Sequence, residues 1–489
     1  MTGIISYGGY IPQLRLSRKT IVEHIGWSAP AIAAAGRGER SVCNWDEDSL
    51  TMAVAAARDC LLGQGRDQVD ALHLASTTLP FTDRLNAGIV ATALNLREDL
   101  WAGDCTGSLK AGTSALIAAL ETVKGGGRRR ALVTAADRRE ARAASTYEMW
   151  YGDGAASLLV GGGDVIAEFL GAYSISCDFV SHYRGAGRRF DYHWETRWVR
   201  DEGYLKLIPR AVDGLLSKLG LAMDDVDRVI YPCPLGRAHA QIAKAIGAAP
   251  AKVVGNMHET CGEAGAAHPL LMLVAALEQA QPGQRILVVG FGQGCDALCF
   301  QATAHIRDLP PRDGVSGALA RRRPMDNYIK FLKFRDLILT ETGIRAEGPN
   351  QTALTALWRR REMILGLVGG RCARCGTPQF PKMDICANPD CGAVHSQVDY
   401  PFADVPATVK SFTGDMLAVA VAPPAIYGLV QFEGGGRLMA NFTDCELGEL
   451  SVGMPVKMVF RQRLSDKERG FTGYFWKAAP QVQASTQMS

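Results

Sequence analysis

Two sets of cysteines in this chain have the spacing to do chemistry. The first is Cys105, set in Gly103-Asp104-Cys105-Thr106-Gly107, with small residues continuing at Ser108, Gly112, Thr113 and Ser114. Small neighbours let a thioester or another backbone approach the sulfur. A thiol placed where the chain hands over to a helix gains thiolate character from the helix N-terminus. That is the setting of a nucleophile that accepts an acyl group. The second set is Cys372-x2-Cys375-Gly and Cys386-x4-Cys391-Gly, two knuckles ten residues apart. Knuckle turns free N–H groups to face sulfur, and four thiolates suit tetrahedral zinc with no open position, a structural site. A ribbon of this size needs the metal to hold together.

The elements that must position Cys105 occur twice. Asp70–Leu79 reads as a buried strand, followed by the Cys105 segment, an apolar helical run, Gly125–Gly127 and a second buried strand from Ala131. About 156 residues on, Val226–Leu235 leads to Cys261-Gly262, an apolar helical run, Pro282-Gly283 and a strand from Arg285. A repeat this long is a duplicated domain, because each copy can own a sheet. Cys261 is the pseudo-symmetric mate of Cys105 and is expected on a pocket wall rather than as a second nucleophile. Gly290-x-Gly292-x-Gly294 is not a phosphate loop, since a β-run follows it where a helix should open.

The expected division is a first half over 1–165, a second half over 166–305, a Pro/Gly/Arg-rich linker over 306–325, a helical segment with the zinc ribbon over 326–398, and a small β-barrel over 399–489. A chain of 489 residues carrying a net charge of +3 points to no nucleic-acid partner. It holds no apolar run long enough to cross a membrane. The opening residues read as a strand rather than a signal segment. Thirteen cysteines, four of them in one metal pattern, fit a reducing cytoplasm.

These residues bring a family into view. Residues 1–305 resemble the thiolase superfamily and, within it, the 3-hydroxy-3-methylglutaryl-CoA synthase-like branch. The resemblance rests on Gly103–Ser108 as the nucleophile motif, on Tyr151-Gly-Asp-Gly-Ala-Ala, and on the aromatic, arginine-bearing insertion from Asp178 to Tyr204. Residues from about 325 resemble the zinc-ribbon and OB-fold proteins that accompany thiolases, here fused in cis; the signs are Lys330–Arg335, the four cysteines and Gly428–Gly436. The resemblance implies an α/β chain with a duplicated five-layer thiolase-like fold, then a rubredoxin-like zinc ribbon and a small OB-fold barrel. It also implies coenzyme A thioester substrates, an acyltransferase that forms or cleaves a carbon–carbon bond through a Cys105 acyl-enzyme, and a homodimer. Arg237 and Lys244 fall where it places groups that meet coenzyme A phosphates.

The chain departs from that pattern at three positions. Ser76-Thr77-Thr78 stands where the branch has a glutamate base, Tyr231–Pro234 where it has a histidine, and Glu263 near its asparagine. A base for the α-proton is still required. His258 and Glu263 are the candidates, with His268 behind them. His182 and His193 could line the substrate tunnel, and Tyr183, Phe190, Tyr192, Trp194, Trp198 and Tyr204 could shape it for a bulky or aromatic acyl chain. The competing reading is a catalytically degenerate acyl-CoA-binding or scaffold protein.

Overall fold

The computed structural model describes residues 1–346 and 353–481. It divides into two compact units. The first holds Met1–Asn44, Asp48–Ala91 and Leu96–Ile338; the second holds Trp45–Glu47, Thr92–Asn95 and the described residues from Leu339 onward.

Short runs rich in Ala, Val, Leu and Gly build the sheets of the first unit. They form β1 (Thr2–Tyr10), β2 (Ala71–Ala75), β3 (Trp101–Cys105), β4 (Arg130–Arg138), β5 (Asp153–Gly162), β6 (Ala167–Ser176), β7 (Arg228–Ile230), β8 (Arg285–Phe291) and β9 (Gly294–Ala302). The hydrogen-bonded order is β7-β8-β9-β6-β1-β5-β4-β2-β3. In the order of the sheet the two halves join where Gly3 and Ile4 of β1 pair with Glu168 and Ala167 of β6. On either side of that seam the arrangement repeats. The parallel pair β2/β4 matches the parallel pair β7/β8, and antiparallel β5 and β1 match β9 and β6. β3 has no full counterpart; Val253 makes a single parallel bridge to Val229 in its place.

Sequence pattern decides which layer each helix joins. His268–Leu277 (α5, HPLLMLVAAL) is apolar all round, which is the signature of a fully buried helix. It packs beside Ala111–Lys124 (α2), and the two form the middle layer between the sheets. Ser49–Cys60 (α1) covers β1, β5 and β4 from outside, and Leu205–Leu219 (α3) covers β6 and β9, burying one face that carries Ile208, Val212 and Leu215. Helix, sheet, helices, sheet, helix are the five layers that the resemblance implies.

The expected linker over 306–325 is structured. Gly314–Ala320 is a helix with Val315 and Ala318 buried, and Arg323–Pro324 pairs in parallel with Leu14–Arg15. The Asp59 carboxylate holds it by accepting the backbone N–H groups of Asp313 (3.0 Å) and Gly314 (2.9 Å). The helix at Tyr328–Phe334, expected to go with the ribbon, belongs to the first unit, where the Tyr328 hydroxyl donates to Glu148 at 3.0 Å.

In the second unit, β10 (Val368–Cys372), β11 (Pro378–Gln379) and β12 (Gln397–Pro401) form a three-stranded ribbon sheet in the order β11-β10-β12. β13 (Ala407–Asp415), β14 (Ala425–Phe432), β15 (Arg437–Asn441), β16 (Pro455–Asp466) and β17 (Phe471–Pro480) follow in the order β15-β14-β13-β16-β17. Alternation buries Val430, Phe432, Met458, Phe460 and Trp476 inside. The curved sheet turns back on itself where Phe442, just after β15, bridges Ala478 of β17. This is an OB-type half-barrel. No helix among the described residues is long and apolar enough to cross a membrane.

Candidate active site

Three parallel strands end together. Ala75 closes β2, Cys105 lies opposite it on β3, and β4 runs on past Ala135 to Asp137 and Arg138. In open α/β sheets the loops beyond the carboxyl ends of parallel strands gather functional groups. Here the link between them is Asp137, which is fully buried. Its carboxylate accepts from the hydroxyls of Ser76 (2.8 Å), Thr77 (2.9 Å) and Thr78 (2.8 Å) and from the Thr77 backbone N–H (2.7 Å). Residues 76–78 therefore gather around a neighbouring carboxylate.

Cys105 is half-buried, and its carbonyl accepts the Ser76 N–H at 3.0 Å. Two expectations about it are corrected. It is the last residue of a strand, and α2 begins at Ala111, so the helix N-terminus falls on Ser108–Lys110 rather than on the sulfur. Its thiol is also raised above the ordinary cysteine value, by burial and then by the charge of Asp104. That carboxylate has a structural task, accepting the N–H groups of Asn86 (2.9 Å) and Ala87 (2.8 Å) at the start of the helix Asn86–Ala93.

The first unit contains an open cleft that encloses about 740 Å³ of space, part of it open solvent. Leu109, at the start of α2, is on its wall; Cys105 is not. Apolar surface comes from Trp150, Leu235, Pro269 and Phe291, and polar surface from Arg139, Tyr147, Tyr151, His182, His193, Tyr204 and Glu263. Of the two sequence-predicted bases, only Glu263 is there. A short parallel bridge fixes its backbone to Tyr151: the Glu263 N–H donates to Trp150 O (2.8 Å), and the Gly152 N–H donates to Glu263 O (3.0 Å). His258 sits in the preceding turn, off the wall. Its carbonyl accepts from Arg18, its Nδ1 is buried without a hydrogen bond, and burial with the charge of Arg18 pushes its pKa down to about 3.

His268 opens α5 and is spent on structure, with Nε2 2.9 Å from Asn256 O. Cys261, expected on a pocket wall, is instead 1 % exposed in the core, with burial pushing its thiol up to about 12. Arg237 and Lys244 are exposed on the helix Gly236–Ala245 (α4), which starts just past the cavity residues Pro234 and Leu235.

The insertion divides its aromatic residues. His182, His193 and Tyr204 line the cavity, whereas Tyr183, Tyr192 and Trp194 are more than half exposed. Phe190 lies under the guanidinium groups of Arg142 and Arg189, and Trp198 stacks on Phe179 at 4.3 Å between centroids. Sequence reasoning missed Arg139, Tyr147 and Tyr151 as wall residues. The Tyr147-x3-Tyr151 spacing, just ahead of the Gly-Asp-Gly turn, was the available signal.

The four ribbon cysteines come together, their sulfurs all within 4.8 Å of one another. Cys372 and Cys391 are 3.9 Å apart, and Cys375 and Cys386 3.5 Å. Zinc–sulfur bonds of about 2.3 Å set tetrahedral sulfur separations near 3.8 Å, so the donor set fits that metal.

Residues 216–301 match the family model for the C-terminal part of 3-oxoacyl-[acyl-carrier-protein] synthase III, and residues 403–461 match the C-terminal OB-fold domain of ChsH2. The hydroxymethylglutaryl-CoA synthase of Methanopyrus kandleri is 31 % identical over 339 residues, which span 68 % of this chain and 97 % of that protein. The chain belongs to the hydroxymethylglutaryl-CoA synthase family. It is therefore an acyltransferase of the thiolase superfamily that carries an OB-fold module in the same chain. Solved structures share the fold. MvaS in complex with 3-hydroxy-3-methylglutaryl coenzyme A has a TM-score of 0.59 at 19 % identity, covering 70 % of this chain and 94 % of that one. 3-Oxoacyl-(acyl carrier protein) synthase III from Pseudomonas aeruginosa has a TM-score of 0.55 at 23 % identity, covering 62 % and 98 %.

Proposed function

We propose that the protein makes or breaks a carbon–carbon bond beside a coenzyme A thioester, inside the first unit's cavity. The observation that supports this best is the composition of the wall. A largely apolar cavity suits an acyl chain, and the carboxylate, imidazoles and phenols on it are the groups that move protons. Trp150, Tyr204 and Phe291 favour a bulky or aromatic acyl group.

Two routes serve that reaction. In one, Cys105 carries the acyl group as a thioester before a carbon nucleophile takes it. In the other, the acyl group passes directly between the coenzyme A sulfur and carbon. Leu109 on the wall, with Cys105 off it and its thiol raised, favours the direct route. Intact-protein mass spectrometry with a panel of acyl-CoAs, beside Cys105→Ala, separates them. The direct route leaves no acyl increment on the wild type; an increment lost in the variant establishes the acyl-enzyme. Failure to bind any acyl-CoA removes the reading altogether, and binding without turnover leaves a scaffold.

The four ribbon cysteines, in this reading, hold one structural zinc, with Cys372, Cys375, Cys386 and Cys391 as its ligands and no catalytic part. Arg237 and Lys244 are assigned to coenzyme A phosphates, the protein to a homodimer, and its compartment to the reducing cytoplasm that keeps these thiols free.

A further inference from the structure

The most organised acid–base group on the cavity wall lies on a two-residue ladder inside the insertion. Tyr192 pairs with Tyr183, and His193 with His182. Alternation along so short a ladder puts both imidazoles on the cavity side and both tyrosines outside. Asp191, just before the ladder, is buried and ion-paired with Arg139 at 2.5 Å and Arg184 at 3.0 Å. It is also 3.0 Å from the Tyr151 hydroxyl, which in turn is 2.9 Å from His193 Nε2. Tyr147 stacks on the imidazole at 3.3 Å between centroids.

Counting protons fixes the tautomer. Two arginines keep Asp191 ionised, so it can only accept. The Tyr151 hydroxyl has one hydrogen, and the carboxylate takes it. The phenolic oxygen can then only accept from His193, so Nε2 carries the imidazole hydrogen. Nδ1 is left with its lone pair and has no hydrogen bond among the described residues. A base held by a second group, itself held by a third, is the arrangement that proton abstraction uses. Glu263 lacks it: its peptide is fixed, but its carboxylate accepts no hydrogen bond among the described residues.

We infer that His193 is the base for the carbon beside the thioester, with Tyr151 and Asp191 as its positioning residues. The inference rests on the carbon–carbon bond reading above and names the group that reading requires. The α-carbon's C–H bond breaks, its electron pair enters the thioester enolate, and the proton bonds to Nδ1. Nε2–H keeps its bond to Tyr151, and Asp191 beyond it offsets the new positive charge. In the reverse direction the same proton returns to carbon. Burial first, then Arg139, brings His193 down to about 4, with Asp191 pulling the other way. His182, stacked at 5.6 Å, is lowered too, chiefly by burial, and its Nδ1 lies 3.1 Å from the Ser181 hydroxyl.

The test is deuterium exchange at the α-carbon of butyryl-CoA and phenylacetyl-CoA, with the full-length protein in D2O, read by mass spectrometry. Binding of the same thioesters is measured by calorimetry. His193→Asn is expected to slow exchange by about 100-fold or more while affinity stays within about threefold. Tyr151→Phe is expected to slow it by about tenfold and to move the acid limb of the pH–rate profile, which a purely structural loss does not do. Tyr183→Phe, on the outer face of the same ladder, keeps the wild-type rate. Exchange at the wild-type rate in His193→Asn overturns the inference, as does exchange lost in Glu263→Gln but kept in His193→Asn. A wild type that binds thioesters yet exchanges none overturns the carbon–carbon bond reading itself.

Discussion

The Asp137 carboxylate accepts the Ala266 backbone N–H at 2.7 Å, joining the carboxyl edge of β4 to the turn that leads into α5. The same carboxylate gathers residues 76–78, so one side chain fixes loops from both halves of the duplicated unit. Gly265 beside it has φ +57, and a Cβ there would fall on that carboxylate. We predict that Asp137→Ala costs about 3 kcal/mol or more, because it strands several donors in a dry site. Asp137→Asn costs less. Chemical denaturation of the first unit measures both, and a variant as stable as wild type removes Asp137 as the link between the loops.

Leu109 holds the place on the cavity wall at which a nucleophile would also meet a helix N-terminus, two residues ahead of Ala111. Leu109→Cys is therefore expected to gain an acyl adduct from acyl-CoA that the wild type does not form. Intact mass before and after hydroxylamine treatment reads it. No adduct in a folded, thioester-binding variant contradicts the placement.

Metal analysis should find about one zinc per chain, lost in Cys386→Ser, with chelation opening the ribbon to proteolysis near β10–β12. A metal-free protein whose ribbon resists protease contradicts the zinc assignment.

Acid should destabilise the first unit through its histidines. His182, His193 and His258 are lowered from 6.5 to about 3, 4 and 3, in each case chiefly by burial. The unfolded chain therefore binds more protons below 6.5, and the stability these rings contribute is complete above that pH and lost as pH falls toward 4. Allowing for partial exposure, the sum is roughly 2–4 kcal/mol between pH 7 and pH 5. Asp59, Glu148 and Glu278, raised by burial, run the other way and soften the loss. Thermal melts across that range check the sign; stability that rises on acidification contradicts it.

The duplicated sheets were legible because strands buried on both faces read as unbroken apolar runs, and α5 because its apolar character has no polar side. The linker was misread because proline, glycine and arginine also suit a segment pinned by a half-buried acceptor, here Asp59. The four cysteines were legible from spacing alone. In the insertion, composition announced a pocket but could not say which face of a two-residue ladder turns inward. His182 and His193 went in while Tyr183 and Tyr192 went out. Cys105 shows the limit most plainly: its place ahead of an apolar helical run suggested a helix start, but the chain stays extended through the cysteine and turns only after it. Nothing local in the sequence marked Leu109 as the residue that reaches the cavity.

The most direct test of the central claim is α-proton exchange in Cys105→Ala beside the wild type, with intact mass recorded on both. Chemistry in the cavity without a covalent thiol predicts equal exchange rates and no acyl increment on either protein. Exchange abolished in the variant, together with an acyl increment on the wild type that the variant lacks, would contradict it and return Cys105 to the centre of the reaction.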